Sequence, residues 1–510
     1  MTAEAALDLG TLDTAATGRQ TGAVGSGPER APPGLGRLLG TLEDFLSEPD
    51  WARALVRWLG GRPADREAVL VALDRAVAEI DALLTAQVNA IIHHPRFKKL
   101  EATWRGVRYL VTVADEVENV LVRILHISWH ELCRDLERAI EFDQSQIFQK
   151  VYNDEFGMPG GQPFGILVGD YEVQHRITPD HRTDDVAALK AMSAVSAAAF
   201  APFIVGISPA MLGLDSFRDL TLPIDLPSTF RTPEYARWRS LQEAEDTRFL
   251  GLVLPRILLR APYRDDGSRI DGFRFEEDAE RTDEHGHLWG SAGYAFASVV
   301  VRAFGRSGWF TDIRGARRDS TGGGLVTDLP APSFETDRPG IAIKYSTEVA
   351  LSERQEKDLA DLGFIPLSKA KDTPYSVFYS NQSAQSHKKY ETAAATMNAR
   401  ISAMLQYILC VSRFAHYIKV LARDKVGSFQ TPEEVEQYLR RWLQGYCNAN
   451  DRAGPETLAR YPLREGSVQV REPPGRPGIY QCTIHLRPHF QLDQVLSEFR
   501  LVTELAPPTG

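Results

Sequence analysis

The sequence predicts a mixed α/β (α+β) protein of several regions, and three patterns carry that expectation. Between 160 and 208 an apolar run entered through a glycine turn ("GGQPFGILVGDYEV") is followed by a small-residue helical stretch ("DVAALKAMSAVSAAAF") and a second apolar run ("APFIVGIS"). Strand, helix and strand in that order point to a parallel sheet covered by helices. Helical spacing dominates 36–115 and returns from Asn398 to Arg423, in "NARISAMLQYILCVSRFAHYIKVLAR". The tail instead alternates with period two, Tyr480, Cys482, Ile484 and Leu486 against Gln481, Thr483 and His485, as half-buried antiparallel strands do.

The elements follow in chain order. Residues 1–35 are small, polar and rich in Gly and Pro, and are expected to be a disordered arm. From 36 to 115 a helical region is expected. Leu38, Leu39, Leu42, Phe45 and Leu46 lie at helical spacing before Pro49, Trp51, Leu55 and Trp58 begin a second stripe, and "RPADREAVLVALDRAVAEIDALLTAQVNAII" reads as one long helix. Next comes "HHPRFKKLEATWRGVRYLV". Leu100, Trp104, Val107, Leu110 and Val111 form an apolar stripe, with Lys98, Lys99, Glu101, Arg105 and Arg108 on the other side. This predicts an amphipathic helix docked by Trp104. The pattern shortens to a strand over Val120–His126, and Ser128 with Glu131 forms a capping box for the next helix. An α/β core with outer insertions is expected over 116–375, and a C-terminal region with the long helix and terminal strands over 376–510. The last strand pattern sets Val495, Ser497, Phe499 and Leu501 against Glu498 and Arg500. No internal repeat is visible.

Composition narrows the function classes. The 510 residues are 43% hydrophobic and 25% charged, as in soluble globular proteins, and the formal charge of −10 argues against a nucleic-acid binder. The N-terminus has neither a basic nor an apolar leader region, and the most apolar run, "AFASVVV", is far short of the roughly 18 residues a span needs, so a cytoplasmic protein without membrane insertion is expected. Cys133, Cys410, Cys447 and Cys482 are scattered, as free thiols in a reducing compartment would be.

No motif points to catalysis, a cofactor or a metal. "HELCR" begins like a zinc-protease HExxH, but Arg134 stands where the second histidine is required. "GGQPFG" and "TGGGLV" lack the endings of phosphate- or dinucleotide-binding loops and read as turns into strands. Adjacent helical residues diverge by about 100°, so His93 and His94 cannot share a ligand face. Glu276, Glu277, Asp278, Glu280, Asp283 and Glu284, with His285 and His287, fit no calcium-loop spacing and read as a solvated loop. His416, between aromatic residues of the long helix, reads as a packing or interface histidine.

Several stretches together resemble one family, the large subunit of the type VI secretion contractile sheath (TssC/VipB). They are "HHPRFKKLEATWRGVRYLV", "GGQPFGILVGDYEV", "APFIVGISP", "PEYARWRSLQEAEDTRFLGLVLPRILLRAPY", "FRFEED", "LWGSAGYAFA", "GGGLV", "TEVALSERQEKDLADLGFIPL", "ILCVSRFAHYIKVLARDKVGSF" and "GIYQCTIHLRPHFQLDQ", in the family's order from about Ile80 to Leu505. The resemblance implies a structural subunit without catalytic residues. It would pair with a small sheath subunit, and further copies of that heterodimer would polymerise as a helical tube around an inner tube of hexameric rings. The tube would sit on a baseplate, contract, and be taken apart by an AAA+ ATPase that grips an N-terminal helix. On this expectation Leu100, Trp104, Arg105 and Leu110 belong to a small-subunit or assembly interface. Leu38, Leu39, Leu42, Phe45 and Leu46 would meet the ATPase, and Tyr480, Ile484, Phe499 and Leu501 would lie in strands linking subunits. A sheath protein of another phage-tail-like contractile system, or a cytoplasmic α/β enzyme with a dispersed site, are the alternatives.

Overall fold

A computed structural model gives the fold. It describes residues 43–58, 61, 65–158, 160–265, 267–268, 272–278, 286–317, 320–331, 345–370, 373–387, 390–425, 431–450, 453–472, 480–489 and 499–505. The chain forms two units, Met1–Ala90 with Asp265–Phe275, and Ile91–Arg264 with Glu276–Gly510. The arm expected over 1–35 and the residues Leu38, Leu39 and Leu42 lie outside the described residues.

In the first unit, residues 43–47 and Trp51–Trp58 are helical, and the Phe45 and Trp58 rings meet edge to face at 5.5 Å. A 27-residue helix, Arg66–Ile92, begins there, as the sequence predicts. None of its side chains is buried, and Leu70, Val71, Val77 and Leu84 are exposed.

The second unit is built on a six-stranded mixed sheet. Strands β1 (Leu167–Val173), β2 (Phe203–Ile207) and β3 (Leu250–Leu254) run parallel. A hairpin of β4 (Ile257–Arg260) and β5 (Leu288–Gly290) and a ribbon of β6 (Ala316–Arg317) and β7 (Ser320–Gly323) flank the sheet, and β8 (Leu325–Val326), β9 (Ile365–Lys369) and β10 (Ser376–Phe378) complete it in the order β1-β2-β3-β9-β10-β8. Every residue of β2 and β3 is buried, which is why these strands read as unbroken apolar runs without alternation. The helices Asp185–Ala199 and Ala292–Ser307 pack into the hydrophobic clusters of this sheet, and both end in a left-handed residue, Phe200 and Gly308. The predicted capping box is present: the Ser128 hydroxyl accepts from the Glu131 N–H, and Glu131 accepts from the Ser128 N–H.

Two sequence expectations change. Val120–His126, read as a strand, belongs to no strand and pairs with none among the described residues. The helix expected from Asn398 to Arg423 is two helices, Ala393–Ser402 and Leu405–Lys425. The break at Ala403–Met404 lets the Leu405 N–H donate to the Asn381 carbonyl and Met404 bridge Gln382, contacts that periodicity does not register.

The C-terminal strands β11 (Leu463–Arg471), β12 (Tyr480–Pro488) and β13 (Phe499–Leu505) form an antiparallel meander within the chain. Cys482, Ile484 and Leu486 are fully buried with Leu439, Leu443 and Phe414, so the period-two pattern marks the core face of this sheet.

Candidate assembly surfaces

The helix Pro95–Asp115 packs through its small residues, with Trp104 on the far side. Its buried residues are Ala102, Gly106, Leu110 and Ala114, spaced every four positions along one face. A Cβ on Gly106 would lie 2.3 Å from the Tyr294 ring, so only glycine allows the helix to approach Ala292–Ser307 this closely. Asp170 of β1 accepts hydrogen bonds from Thr103 and Tyr294 below the same contact, and burial raises its pKa above the ordinary carboxylate value. Leu110 joins this buried face. Leu100, Val111 and Trp104 point away from it, and Trp104 is 60% exposed. The expected stripe is therefore split: Leu110 is core, while Leu100, Trp104 and Val111, with Phe97, make an exposed apolar face. The sequence leaves open what Trp104 docks on, and among the described residues its ring stays mostly exposed. Trp104 dominates the hydrophobic pattern, but close helix packing selects Ala and Gly.

The charged side of the helix is not simply solvated either. Arg105 Nε donates to Glu101 at 2.7 Å, and its Nη2 reaches the Tyr263 hydroxyl at 2.8 Å. Arg260 of β4 donates to Glu101 from Nε at 2.8 Å and to Glu277 from both terminal nitrogens, one of them at 3.0 Å. Glu277 also accepts from the Tyr263 N–H at 2.9 Å and lies 3.0 Å from His93 Nε2. Burial disfavours the charge of Glu277, but the hydrogen bonds from Arg260 and the Tyr263 backbone outweigh it and lower its pKa. For Arg260 burial again opposes the charge, and Glu277 and Glu101 overcome it. Glu277 thus corrects the expectation of a uniformly solvated acidic loop: its carboxylate is almost wholly buried. Glu276 and Asp278 flank it, while Glu280, Asp283, Glu284 and His285 lie outside the described residues. Arg260 and Glu277 were invisible as a pair from sequence; the only hint was an arginine at the end of an otherwise apolar run, "RILLR".

The remaining candidates separate. Phe45 is partly covered by Trp58, and Leu46 is 73% exposed. In the terminal sheet Ile484 is buried and pairs in register with Leu501, Tyr480 with Leu505, and Phe499 with Leu486. All four of these residues thus serve ladders internal to the chain, and β13 is left at the edge of the sheet.

The chemistry-bearing residues are packed, not poised. His416 is buried, its Nε2 is 2.9 Å from the Ala199 carbonyl, and it meets Phe156 edge to face. Burial lowers its pKa to about 4. The thiols of Cys133, Cys410 and Cys482 are buried and pushed up to about 12, and all four cysteines are free. Among the described residues no three His, Cys, Asp or Glu side chains are grouped to hold a metal, and no helix is long and apolar enough to cross a membrane.

The lowered pKa of His416 sets a pH dependence. The unfolded chain, with an ordinary histidine near 6.5, binds a proton that the folded chain refuses until about 4. Stability is therefore full above about 6.5 and falls as the pH drops from there toward 4, by up to about 3 kcal/mol. His416→Gln should flatten this slope in denaturant titrations at pH 7, 6 and 5; an unchanged slope would assign the acid sensitivity to other groups.

Two adjoining family models match the chain. One, described as EvpB/VC_A0108, tail sheath N-terminal domain, matches residues 74–385; the other, EvpB/VC_A0108, tail sheath gpW/gp25-like domain, matches residues 394–505. The chain belongs to the TssC/VipB family of type VI secretion sheath proteins. A curated relative, the type VI secretion system sheath protein TssC1 of Pseudomonas aeruginosa, is 41% identical over 436 residues, covering 85% of this chain and 86% of the relative. In a sheath protein the exposed apolar faces call for another explanation than catalysis. Leu100 and Trp104, Leu70, Val71, Val77 and Leu84 of the helix Arg66–Ile92, and Leu46 are exposed apolar side chains that a monomer leaves wet and a polymer can cover.

Proposed function

We propose that this chain is the large, non-enzymatic subunit of a cytoplasmic contractile sheath. It pairs with a small sheath subunit, and the heterodimers polymerise helically around an inner tube, anchored at a baseplate, and contract to drive that tube outward. The reading rests above all on the exposed Phe97–Leu100–Trp104–Val111 face of a helix whose opposite face is firmly packed. Such a face is rigidly held, apolar and uncovered, and suits a permanent partner. An open helical polymer also needs unlike patches that meet from one protomer to the next, which several separate exposed faces supply.

Trp104→Ala tests it. Because the ring is mostly exposed, the substitution should leave the melting temperature of the large subunit nearly unchanged. As an interface anchor its loss should weaken pairing by about 2–4 kcal/mol, so a tagged small subunit should no longer retain the variant. Undiminished co-purification would remove this face from the interface. A lowered melting temperature would make Trp104 a folding residue instead.

The N-terminal stretch carrying Leu38, Leu39, Leu42, Phe45 and Leu46 is proposed as the handle for the AAA+ disassembly ATPase. A short apolar helix face is the kind of segment a groove can grip. Deleting residues 1–48 should leave tubes forming and contracting but stop their ATP-driven disassembly, followed by light scattering. Disassembly at the full rate would place the handle elsewhere.

A further inference from the structure

The chain passes between its two units three times, after Ala90, after Arg264 and after Phe275. All three passages lead to one carboxylate. The helix Arg66–Ile92 includes the first crossing, and His93, which follows it, places Nε2 3.0 Å from Glu277 Oε1. Just before the second crossing stands Tyr263, whose N–H donates to Glu277 Oε2 at 2.9 Å. Just after the third comes Glu277 itself, whose own N–H donates to the Tyr263 carbonyl at 2.9 Å. Arg260 braces the carboxylate with one terminal nitrogen on each oxygen, and is held in turn by Glu101 of the helix Pro95–Asp115. Every one of these residues belongs to the second unit, and the Glu277 side chain is almost wholly buried there.

We propose that Glu277 is a pin: it fastens the three passages to one braced point of the second unit, so that they hold or open together. The way its atoms are shared carries the inference. Oε1 takes the first passage and Oε2 the second, each beside one nitrogen of the same guanidinium, while the main chain of Glu277 closes the third onto the second. A carboxylate accepts from all four donors at once, which a neutral side chain of the same shape cannot. Stability alone does not account for a buried charge at this place. Apolar residues of similar volume often match a buried ion pair, so what the pair positions is the better guide to its role. Here it positions segments that the sequence keeps far apart, His93 and Glu277 being 184 positions from each other. Such a network is cooperative, because each donor that leaves the carboxylate loosens its hold on the rest. The inference is independent of which partner covers which exposed face.

Amide hydrogen exchange on the full-length chain tests the pin. In the wild type the amides of Tyr263 and Glu277, and that of His94, which donates to the Ile91 carbonyl, should exchange through one shared opening. Corrected for intrinsic exchange, their rates should agree within about threefold. Glu277→Gln keeps the shape but accepts on one oxygen only, so all three amides should exchange at least about tenfold faster while β2 and β3 stay protected. His93→Ala is the sharper variant, because it alters neither the second passage nor the third, and its ring is partly exposed. It should nonetheless speed the amides of Tyr263 and Glu277 by about threefold or more, and His93→Gln, which restores a donor, should reverse most of that change. Acceleration confined to His94 in His93→Ala, or three unrelated rates in the wild type, overturns the proposal. Should Glu277→Gln lose protection in β2 and β3 as well, that variant has unfolded, and the two His93 variants decide the matter by the same criterion.

Discussion

Replacing Arg260 with methionine should destabilise the large subunit by about 3–5 kcal/mol, enough to drive much of it into the insoluble fraction. The side chain is buried and holds two carboxylates, Glu101 from the helix Pro95–Asp115 and Glu277 from the stretch after β4. Methionine fills much the same volume, so little of the effect comes from a cavity. The cost comes from leaving Glu277 buried and Glu101 largely so, without their cation. His93 and Arg105 remain nearby, at 3.0 Å from Glu277 and 2.7 Å from Glu101 respectively, but Arg105 is partly exposed and neither bridges both carboxylates. Arg260→Lys keeps a charge but loses the fork that reaches both partners, and should fall between the two. The triple variant Arg260→Met/Glu101→Gln/Glu277→Gln, which removes the ions together, should recover much of the lost stability, because the penalty lies in the unpaired charge more than in the missing pair. Denaturant midpoints of the four proteins decide the matter, and an Arg260→Met variant as stable as wild type would show the network to be ornamental. The lowered pKa of Glu277 adds a pH signature. Its contribution is present above the ordinary carboxylate pKa and lost as the pH falls through the folded one, so wild type and Arg260→Met should converge in acid.

How much of this was legible in the sequence depends on whether the governing contact is local. The parallel strand β2 was legible because burial on both faces leaves an unbroken apolar run. The capping box was legible because its two partners are three residues apart. The core side of Pro95–Asp115 was not. Spacing alone finds a stripe, and the bulk of Trp104 draws attention to the exposed side, whereas the packing partner Tyr294 demands Ala102 and Gly106. The Arg260–Glu101 contact spans 159 positions, so nothing near either residue announces it. Val120–His126 reads as a strand by its composition but belongs to none, since a strand needs a neighbour that local composition does not specify.

The terminal sheet brings the second large effect, on assembly instead of folding. The strand β13 pairs with β12 through seven residues in register, from Phe499 opposite Leu486 to Leu505 opposite Tyr480, and among the described residues no strand lies on its other edge. An open edge at the chain end is a template for a neighbour's strand, and linking protomers by main-chain hydrogen bonds would hold a sheath together while the subunits rotate during contraction. Successive N–H groups along a strand point to opposite sides. Prolines at Phe499 and at Arg500 therefore remove one amide directed at β12 and one directed outward, and the pair of variants separates the two roles within one strand. The variant that loses the inward amide should lower the melting temperature of the heterodimer. The variant that loses the outward amide should leave the heterodimer intact by size-exclusion chromatography and form no long tubes in negative-stain images. Full-length tubes from both would exclude the edge of β13 as a link between subunits. Loss of the heterodimer in both would make the meander part of the subunit's own fold and nothing more. The outward-facing variant decides between a sheath tied by shared sheets and one held by side-chain contacts alone, because proline there cancels the ladder without touching the buried face of Cys482, Ile484 and Leu486.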